Sequence, residues 1–481
     1  MATEQVKTIL NYNVHDYGHV LRSSAIFYFK KTPSFKTTVS LLNYWKIKRD
    51  LKTTIVASVR KMDGTLVLRE NFEFNESYVI NYSPNIMEEN FEGSVEIELF
   101  SLQDMVIPYA GITVVYESKF GISMVHSYGR AYSQHEIEEG KVVKKGEEAC
   151  CHGLIDSDEL ESFGIVHNGS LKCPSQLVTV SVLNHRGDRE NVTFTLHELN
   201  PYETLKVIPK KYFPNLIKFL EGKPGYSAFS FHLNNSAFTR MLSVNQKKDS
   251  TDFQVTHSNF NFSKNGTSTV KNENYGYLMF PKIQNTEQEF IVYPDCAPGK
   301  YELIDNADKI VQFNENKGVV IPMKDIEDGL FTFKRLDGEI PSRIHTGIQV
   351  SKSPDVIAAD SCVGIFTKEQ PKKRFTWALC SSNSKIKSRV FVTQMDFGDL
   401  DKKKLPVIIR LYSDHSLDSK ETSIDPKILS NGTYISEIFP DAENFLGSGY
   451  GWITIFSEHP YYVAYTTLEN KHDSISFEHG I

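Results

Sequence analysis

A histidine recurs along this chain at intervals of roughly one hundred residues, each time within a short phrase of similar sequence. The first two phrases are nearly the same: Val14-His15-Asp16-Tyr17-Gly18 and Val125-His126-Ser127-Tyr128-Gly129. Imidazole is the commonest metal ligand, and a neighbouring hydroxyl or carboxylate can orient its second nitrogen. The recurring residues therefore predict a transition-metal site, if the fold brings them together. The five candidate ligands are His15, His126, His257, His345 and His479.

A structural role is the interpretation that the sequence favours for these histidines. A repeat that arises by duplication copies its structural residues as well as its functional ones. A histidine at the end of a strand often does no more than bond to a nearby backbone group, and clustered titratable groups often prove structural. The sequence alone leaves both interpretations open.

Aromatic residues near turns and strand ends form a second group of candidates. Flat rings bury a large area at a low entropy cost, and they often hold sugars or peptides. Trp452, however, also fits the alternation of a core strand, so packing in the core is the alternative for this group. The candidate ligand-binding residues are Tyr44, Trp45, Tyr450, Trp452 and Tyr461.

Motifs of the common enzyme classes are absent from the sequence. There is no G-x-S-x-G, no H-E-x-x-H, no phosphate-binding loop and no G-x-G-x-x-G. The six cysteines contain no C-x-x-C pair and do not recur with the histidines. A cysteine zinc site or a disulfide framework is therefore not expected.

Between the histidines the sequence alternates apolar and polar residues over short runs. Residues 225–234 (GYSAFSFHLN) and 449–457 (GYGWITIFS) are examples. This period of two is typical of half-buried antiparallel strands. Prolines and glycines at repeated places, such as Pro84 and Pro322, indicate strand ends and return turns.

The pattern amounts to six or seven short strands for each histidine interval, with turns between them. It predicts an all-β protein of about four tandem antiparallel β-sandwich units of immunoglobulin-like or Greek-key type. The third unit looks shortened, because its strands run almost directly to His345. A closed ring of sheets, or two larger double-layer domains, is the alternative, and a ring would bring the histidines to one axis. The predicted units are 20–130, 160–262, 272–350 and 360–481.

Composition limits the classes of function. A chain of 481 residues is too long for one core, and 40% apolar with 12% aromatic residues is enough to bury several. The net charge of −7, with mixed signs along the chain, argues against a nucleic-acid partner. No apolar run approaches the ~20 residues of a transmembrane segment. Residues 1–25 contain no apolar export signal, so we expect a cytoplasmic protein.

These observations favour a non-catalytic repeat protein that binds or organises a partner: a glycan, another protein or further copies of itself as a homo-oligomer. The alternative from another class is a metal-dependent oxygenase or hydrolase whose site is assembled from the repeated histidines. A shell or filament subunit is a third option. Fold class does not choose among them.

Overall fold

The computed structural model describes residues 19–74, 76–126, 129–140, 148–231, 236–238, 240–257, 269–293, 297–314, 318–326, 329–341, 344–367, 375–395 and 404–481. Antiparallel strands dominate this part of the chain, and its helices are short. The all-β class that the alternation predicted is therefore confirmed. No helix among these residues is both long enough and apolar enough to cross a membrane.

The first two sheets share one core. Phe27 and Val95 from one sheet pack in the same cluster as Val39 and Val114 from the other. Their strands are β1 (Arg22–Lys31), β2 (Lys36–Leu42), β3 (Thr54–Lys61), β4 (Leu66–Glu73), β5 (Val79–Tyr82), β6 (Phe91–Phe100), β7 (Gly111–Glu117) and β8 (Ile122–His126). The strand orders are β1-β6-β3-β4 and β5-β2-β7-β8. We call these two sheets the first sheet pair.

The second sheet pair follows a short strand, β9 (Arg130–Ala131). Its strands are β10 (Glu148–Leu154), β11 (Leu160–His167), β12 (Gln176–Leu183), β13 (Arg189–Leu196), β14 (Thr204–Val207), β15 (Gly225–Phe231), β16 (Ala237–Phe238), β17 (Leu242–Lys247) and β18 (Phe253–His257). The strand orders are β10-β15-β12-β13 and β14-β11-β17-β18, and β16 pairs with β9.

The third sheet pair has strands β19 (Tyr275–Met279), β20 (Glu287–Tyr293), β21 (Lys300–Asp305), β22 (Ile310–Asn314), β23 (Val319–Pro322), β24 (Leu330–Arg335), β25 (His345–Ser351) and β26 (Ala359–Cys362). Their orders are β19-β24-β21-β22 and β23-β20-β25-β26. The strands of the third pair therefore extend to Cys362, and His345 begins its seventh strand.

The fourth sheet pair has strands β27 (Phe375–Cys380), β28 (Ile386–Lys387), β29 (Arg389–Gln394), β30 (Val407–Tyr412), β31 (Ser419–Ile424), β32 (Thr433–Tyr434), β33 (Gly451–Ser457), β34 (Tyr462–Asn470) and β35 (Ile475–His479). One sheet has the order β27-β33-β30-β31. The other has the order β28-β34-β29-β32, and β35 also pairs with β34.

One strand order thus recurs in all four sheet pairs, with β16 and β28 as additions. The first, sixth, third and fourth strands form one sheet, and the fifth, second, seventh and eighth form the other. The exact division of the chain into repeat units stays a prediction.

Short helices lie in the connections between strands. Helix α1 is capped at its start by the Asn43 side chain, which accepts a hydrogen bond from the Lys46 backbone N–H. The helices are α1 (Tyr44–Arg49), α2 (Gln134–Glu138), α3 (Pro209–Tyr212), α4 (Leu216–Leu220), α5 (Pro426–Leu429), α6 (Ile435–Ile438) and α7 (Ala442–Leu446), with a 3₁₀ turn at Met323–Asp325.

The eighth strand of each sheet pair lies on a common axis. β8 contacts β18, β18 contacts β26, β26 contacts β35, and β35 contacts β8. Serine hydroxyls join neighbours: the Val255 N–H donates to Ser123 Oγ at 2.9 Å, and the Met124 N–H donates to Ser476 Oγ at 2.8 Å. The sheet pairs therefore close into a ring.

The closing seam is the one between the first and fourth sheet pairs. Trp452 is fully buried there, in a cluster that includes Val115 and Met124. Its indole N–H donates to Ser40 Oγ at 2.9 Å, so the buried polar atom is satisfied. Apolar burial and a specific hydrogen bond together hold the first and fourth sheet pairs against each other.

Candidate metal site on the ring axis

Four potential metal ligands converge on the axis: His126, His257, Glu478 and His479. One donor atom from each lies within 4.8 Å of the other three. The three histidines are the last residues of β8, β18 and β35, and Glu478 precedes His479 in β35. We call these four residues the axial group. Three of the five histidines predicted from the sequence are in it.

The three imidazole rings of the axial group meet edge to face. The His126 ring centroid lies 4.5 Å from that of His257 and 4.5 Å from that of His479. The His257 and His479 centroids are 5.6 Å apart. His126 and His257 are buried, whereas His479 keeps 30% of its side chain exposed. The axis is therefore reached from solvent on the His479 side.

Glu478 is the one carboxylate in the axial group, and it is buried. Its Oε1 lies 3.3 Å from His126 Nδ1 and accepts a hydrogen bond of 3.0 Å from the His479 backbone N–H. Burial raises the pKa of Glu478 to about 7, although the charges of His479 and Arg240 act in the opposite direction. A bound cation would favour the charged carboxylate.

Hydrogen bonding sets the orientation of His479. Its Nδ1 lies 3.2 Å from the carbonyl oxygen of Gly480. A carbonyl only accepts, so Nδ1 carries the proton and the lone pair is on Nε2. A donor bond from the second nitrogen to a carbonyl is the usual support of a metal-binding histidine.

Arg240 makes the opposite arrangement at His257. Its buried guanidinium Nη1 lies 3.1 Å from His257 Nδ1. A guanidinium only donates, so Nδ1 accepts and the proton of the neutral ring is on Nε2. For His257 to bind a metal through Nε2, the proton must leave that nitrogen and the bond from Arg240 must yield.

Cys362 occupies the position on β26 that corresponds to the axial histidines. Its Sγ donates a hydrogen bond to the His257 carbonyl oxygen at 2.8 Å. Cys362 is not among the residues predicted from the sequence to form a site. Like the three axial histidines, Cys362 is the last residue of the eighth strand in its sheet pair, and each of the four pairs with a residue of the seventh strand. The pairs are His126–Thr113, His257–Leu242, Cys362–Gly347 and His479–Tyr465.

His345 lies away from the axial group. It begins the seventh strand of its sheet pair, where it faces Tyr293 across the ladder, and its ring is 5.6 Å from that of Tyr226. Burial among these rings lowers its pKa to about 4. His15, the fifth predicted ligand, lies outside the described residues.

The predicted aromatic patch is divided among several places. Trp45 and Trp452 are fully buried, and the Trp45 indole N–H donates to the Met105 carbonyl oxygen at 3.1 Å. Tyr450 is also buried, with its hydroxyl donating to Glu117 at 2.9 Å. These three rings serve the core. Tyr44 and Tyr461 are partly buried, so only these two of the predicted rings have a face toward solvent.

The dimensions of the axial group suit a small cation with nitrogen and oxygen ligands. Zinc binds histidine nitrogen at 2.0–2.1 Å, so donor atoms around a tetrahedral ion lie roughly 3.3 Å apart. The axial donors are separated by 4.8 Å at most. Side-chain rotations, together with the loss of the Arg240 bond to His257, would bring them to bonding distance.

Comparison with known proteins adds no assignment. No protein-family model matches this chain, and no curated protein is similar enough to it to count as a relative.

Proposed function

We propose that this chain is a non-catalytic, metal-binding scaffold: a cytoplasmic ring of β-sheets that holds a divalent transition metal on its axis and presents its outer surface to a partner. One observation carries the proposal. Donor atoms of His126, His257 and the Glu478–His479 pair, which are far apart in the sequence, lie within 4.8 Å of one another.

The number of ligands supports a structural role for the metal. Three imidazoles and one carboxylate would fill all four tetrahedral positions, whereas catalytic sites keep one position open. The ligands come from β8, β18 and β35, so the ion would tie together three of the four axial strands. It would hold the first, second and fourth sheet pairs together at the axis.

Elemental analysis tests the proposal. Wild-type protein, His126→Ala and His257→Ala are purified, stripped with a chelator and reconstituted with zinc. We expect one zinc per wild-type chain and its loss from both variants, while His345→Ala keeps the metal. Wild-type protein that takes up no zinc or cobalt, or axial variants that keep the metal, would overturn the proposal.

A metal-dependent enzyme is the second candidate, because the partial exposure of His479 opens the axis on one side. If His479 left the metal, three protein ligands and a water would remain, as in catalytic zinc sites. Cobalt-substituted protein distinguishes the two candidates. An added anion such as azide changes the visible spectrum of an open site and leaves a closed tetrahedral site unchanged.

A further inference from the structure

A groove runs along the outer surface where the first and fourth sheet pairs meet. Helix α1 (Tyr44–Arg49) forms one wall, and the outer face of β27, β33 and β30 forms the floor. Its volume is about 580 Å³, within the range of ligand sites. The lining residues include Lys48, Arg49, Phe375, Trp377 and Arg410.

Aromatic rings form a platform on the floor of this groove. Phe375 and Trp377 are two residues apart on β27, so both point to the outer face. Their ring centroids are 6.3 Å apart and their planes differ by only 21°. Phe456, which faces Phe375 across the ladder, adds a third ring at 4.9 Å. Phe375 is 43% exposed and Trp377 is partly exposed, so the platform lies at the surface.

Cations surround the platform. The Lys48 ammonium lies over both rings, 5.0 Å from the Phe375 centroid and 5.1 Å from the Trp377 centroid, so a ligand that stacks on these rings must displace it. Arg49 and Arg410 also line the groove, and Arg410 is paired with Glu421. Glu421 offsets the charge of Arg410, so among the described residues that line the groove Lys48 and Arg49 supply the excess positive charge, on a chain whose net charge is −7. This local excess favours an anionic ligand.

We propose that this groove binds an acidic oligosaccharide, with uronate carboxylates paired to Lys48 and Arg49. The nearly parallel Phe375 and Trp377 rings match the flat C–H face of a pyranose, which buries area at low entropy cost. A single-stranded nucleic acid would require a longer track of charge and stacked rings than this one groove offers. The inference names a ligand for the partner-binding part of the proposed function and is independent of the axial metal.

Tryptophan fluorescence gives a direct measurement of this binding. The chain has three tryptophans, of which Trp45 and Trp452 are fully buried and Trp377 is partly exposed in the groove. Ligand-induced change in emission therefore reports on Trp377. We expect a saturable change with tetragalacturonate that weakens at high salt, and no change with the neutral maltotetraose.

Calorimetry on variants completes the test. Phe375→Ala and Lys48→Gln should each weaken tetragalacturonate binding at least tenfold, whereas Phe72→Ala, which removes an aromatic ring from the first sheet pair, should leave it unchanged. His257→Ala and metal-stripped protein should bind the sugar as the wild type does, so failure of the metal proposal is separately visible. The inference would be overturned if tetragalacturonate did not bind, or if maltotetraose bound equally well. It would also be overturned if oligothymidine bound more tightly, or if both groove variants kept the wild-type affinity.

Discussion

His257 and His345 have similar neighbours in the sequence but lie in different environments. Each is next to threonine, in Thr256-His257 and His345-Thr346. His257 ends the eighth strand of the second sheet pair and contacts two other imidazoles on the axis. His345 begins the seventh strand of the third pair and contacts tyrosine rings between two sheet pairs.

The difference shows that the strand on which a repeated histidine lies decides the chemistry available to it. At the end of the eighth strand, the residue lies among polar donors from other sheet pairs. At the His345 position, the neighbours are Tyr226 and Tyr293, which belong to an apolar cluster with Ile291. The axial position of the third pair belongs instead to Cys362.

Metal removal should produce the largest contrast between the two regions. A ligand that binds only the folded state stabilises it by about 4 kcal/mol when present at a thousand times its Kd. We therefore expect a chelator to lower the unfolding midpoint of the wild type and of His345→Ala by the same amount. The His257→Ala variant should be insensitive to the chelator. Urea unfolding with and without zinc measures this, and an unchanged wild type would remove the contrast.

Acid should destabilise the protein through His345. Its folded-state pKa of about 4 lies below the 6.5 of the unfolded chain, so the unfolded state binds the proton more readily. The stability associated with neutral His345 is complete above pH 6.5 and is lost as the pH falls toward 4. The loss is on the order of 3 kcal/mol at most, from 1.36 kcal/mol per pKa unit.

The comparison of wild type with His345→Gln measures this loss. Urea unfolding of both proteins between pH 7 and pH 4 should show the free energy of unfolding falling more steeply for the wild type. If the free energy of unfolding fell equally with pH in the two proteins, His345 would take up its proton as readily in the folded state as in the unfolded chain, contrary to its burial.

Arg240 should oppose metal binding at the axial group. Its positive charge repels a cation, and its bond to His257 Nδ1 leaves the proton on the nitrogen that would bind the metal. We expect Arg240→Met to bind zinc more tightly, on the order of tenfold, from the lost repulsion alone. Competition with a chromophoric chelator measures the affinity, with Arg410→Met in the distant groove as the control. Weaker binding by Arg240→Met would show that the guanidinium supports the site.

Cys362 should give the smallest effect. Its thiol donates one buried hydrogen bond to the His257 carbonyl oxygen, and such a bond contributes about 1 kcal/mol or less. Cys362→Ala should lose this stability and keep its zinc, and Cys362→Ser should recover most of it. Loss of zinc from both variants would instead make the thiol a metal ligand.

The alternation of apolar and polar residues determined the strands of this protein. The run 225–234 became β15 (Gly225–Phe231), and the run 449–457 became β33 (Gly451–Ser457). Trp452 lies in β33 with its ring in the core, as the alternative interpretation of its alternation suggested. Such patterns are readable because they depend on the two faces of a single strand, which neighbouring residues define.

Only the tertiary structure decided which histidines meet. The contact of His126 with Glu478 joins residues more than three hundred positions apart, and it exists because β8 and β35 lie side by side when the ring closes. The burial of Trp45 and the place of Cys362 on the axis depend on the same packing. The sequence specifies which residue lies at each position, whereas ring closure and strand register decide which other residues that side chain contacts.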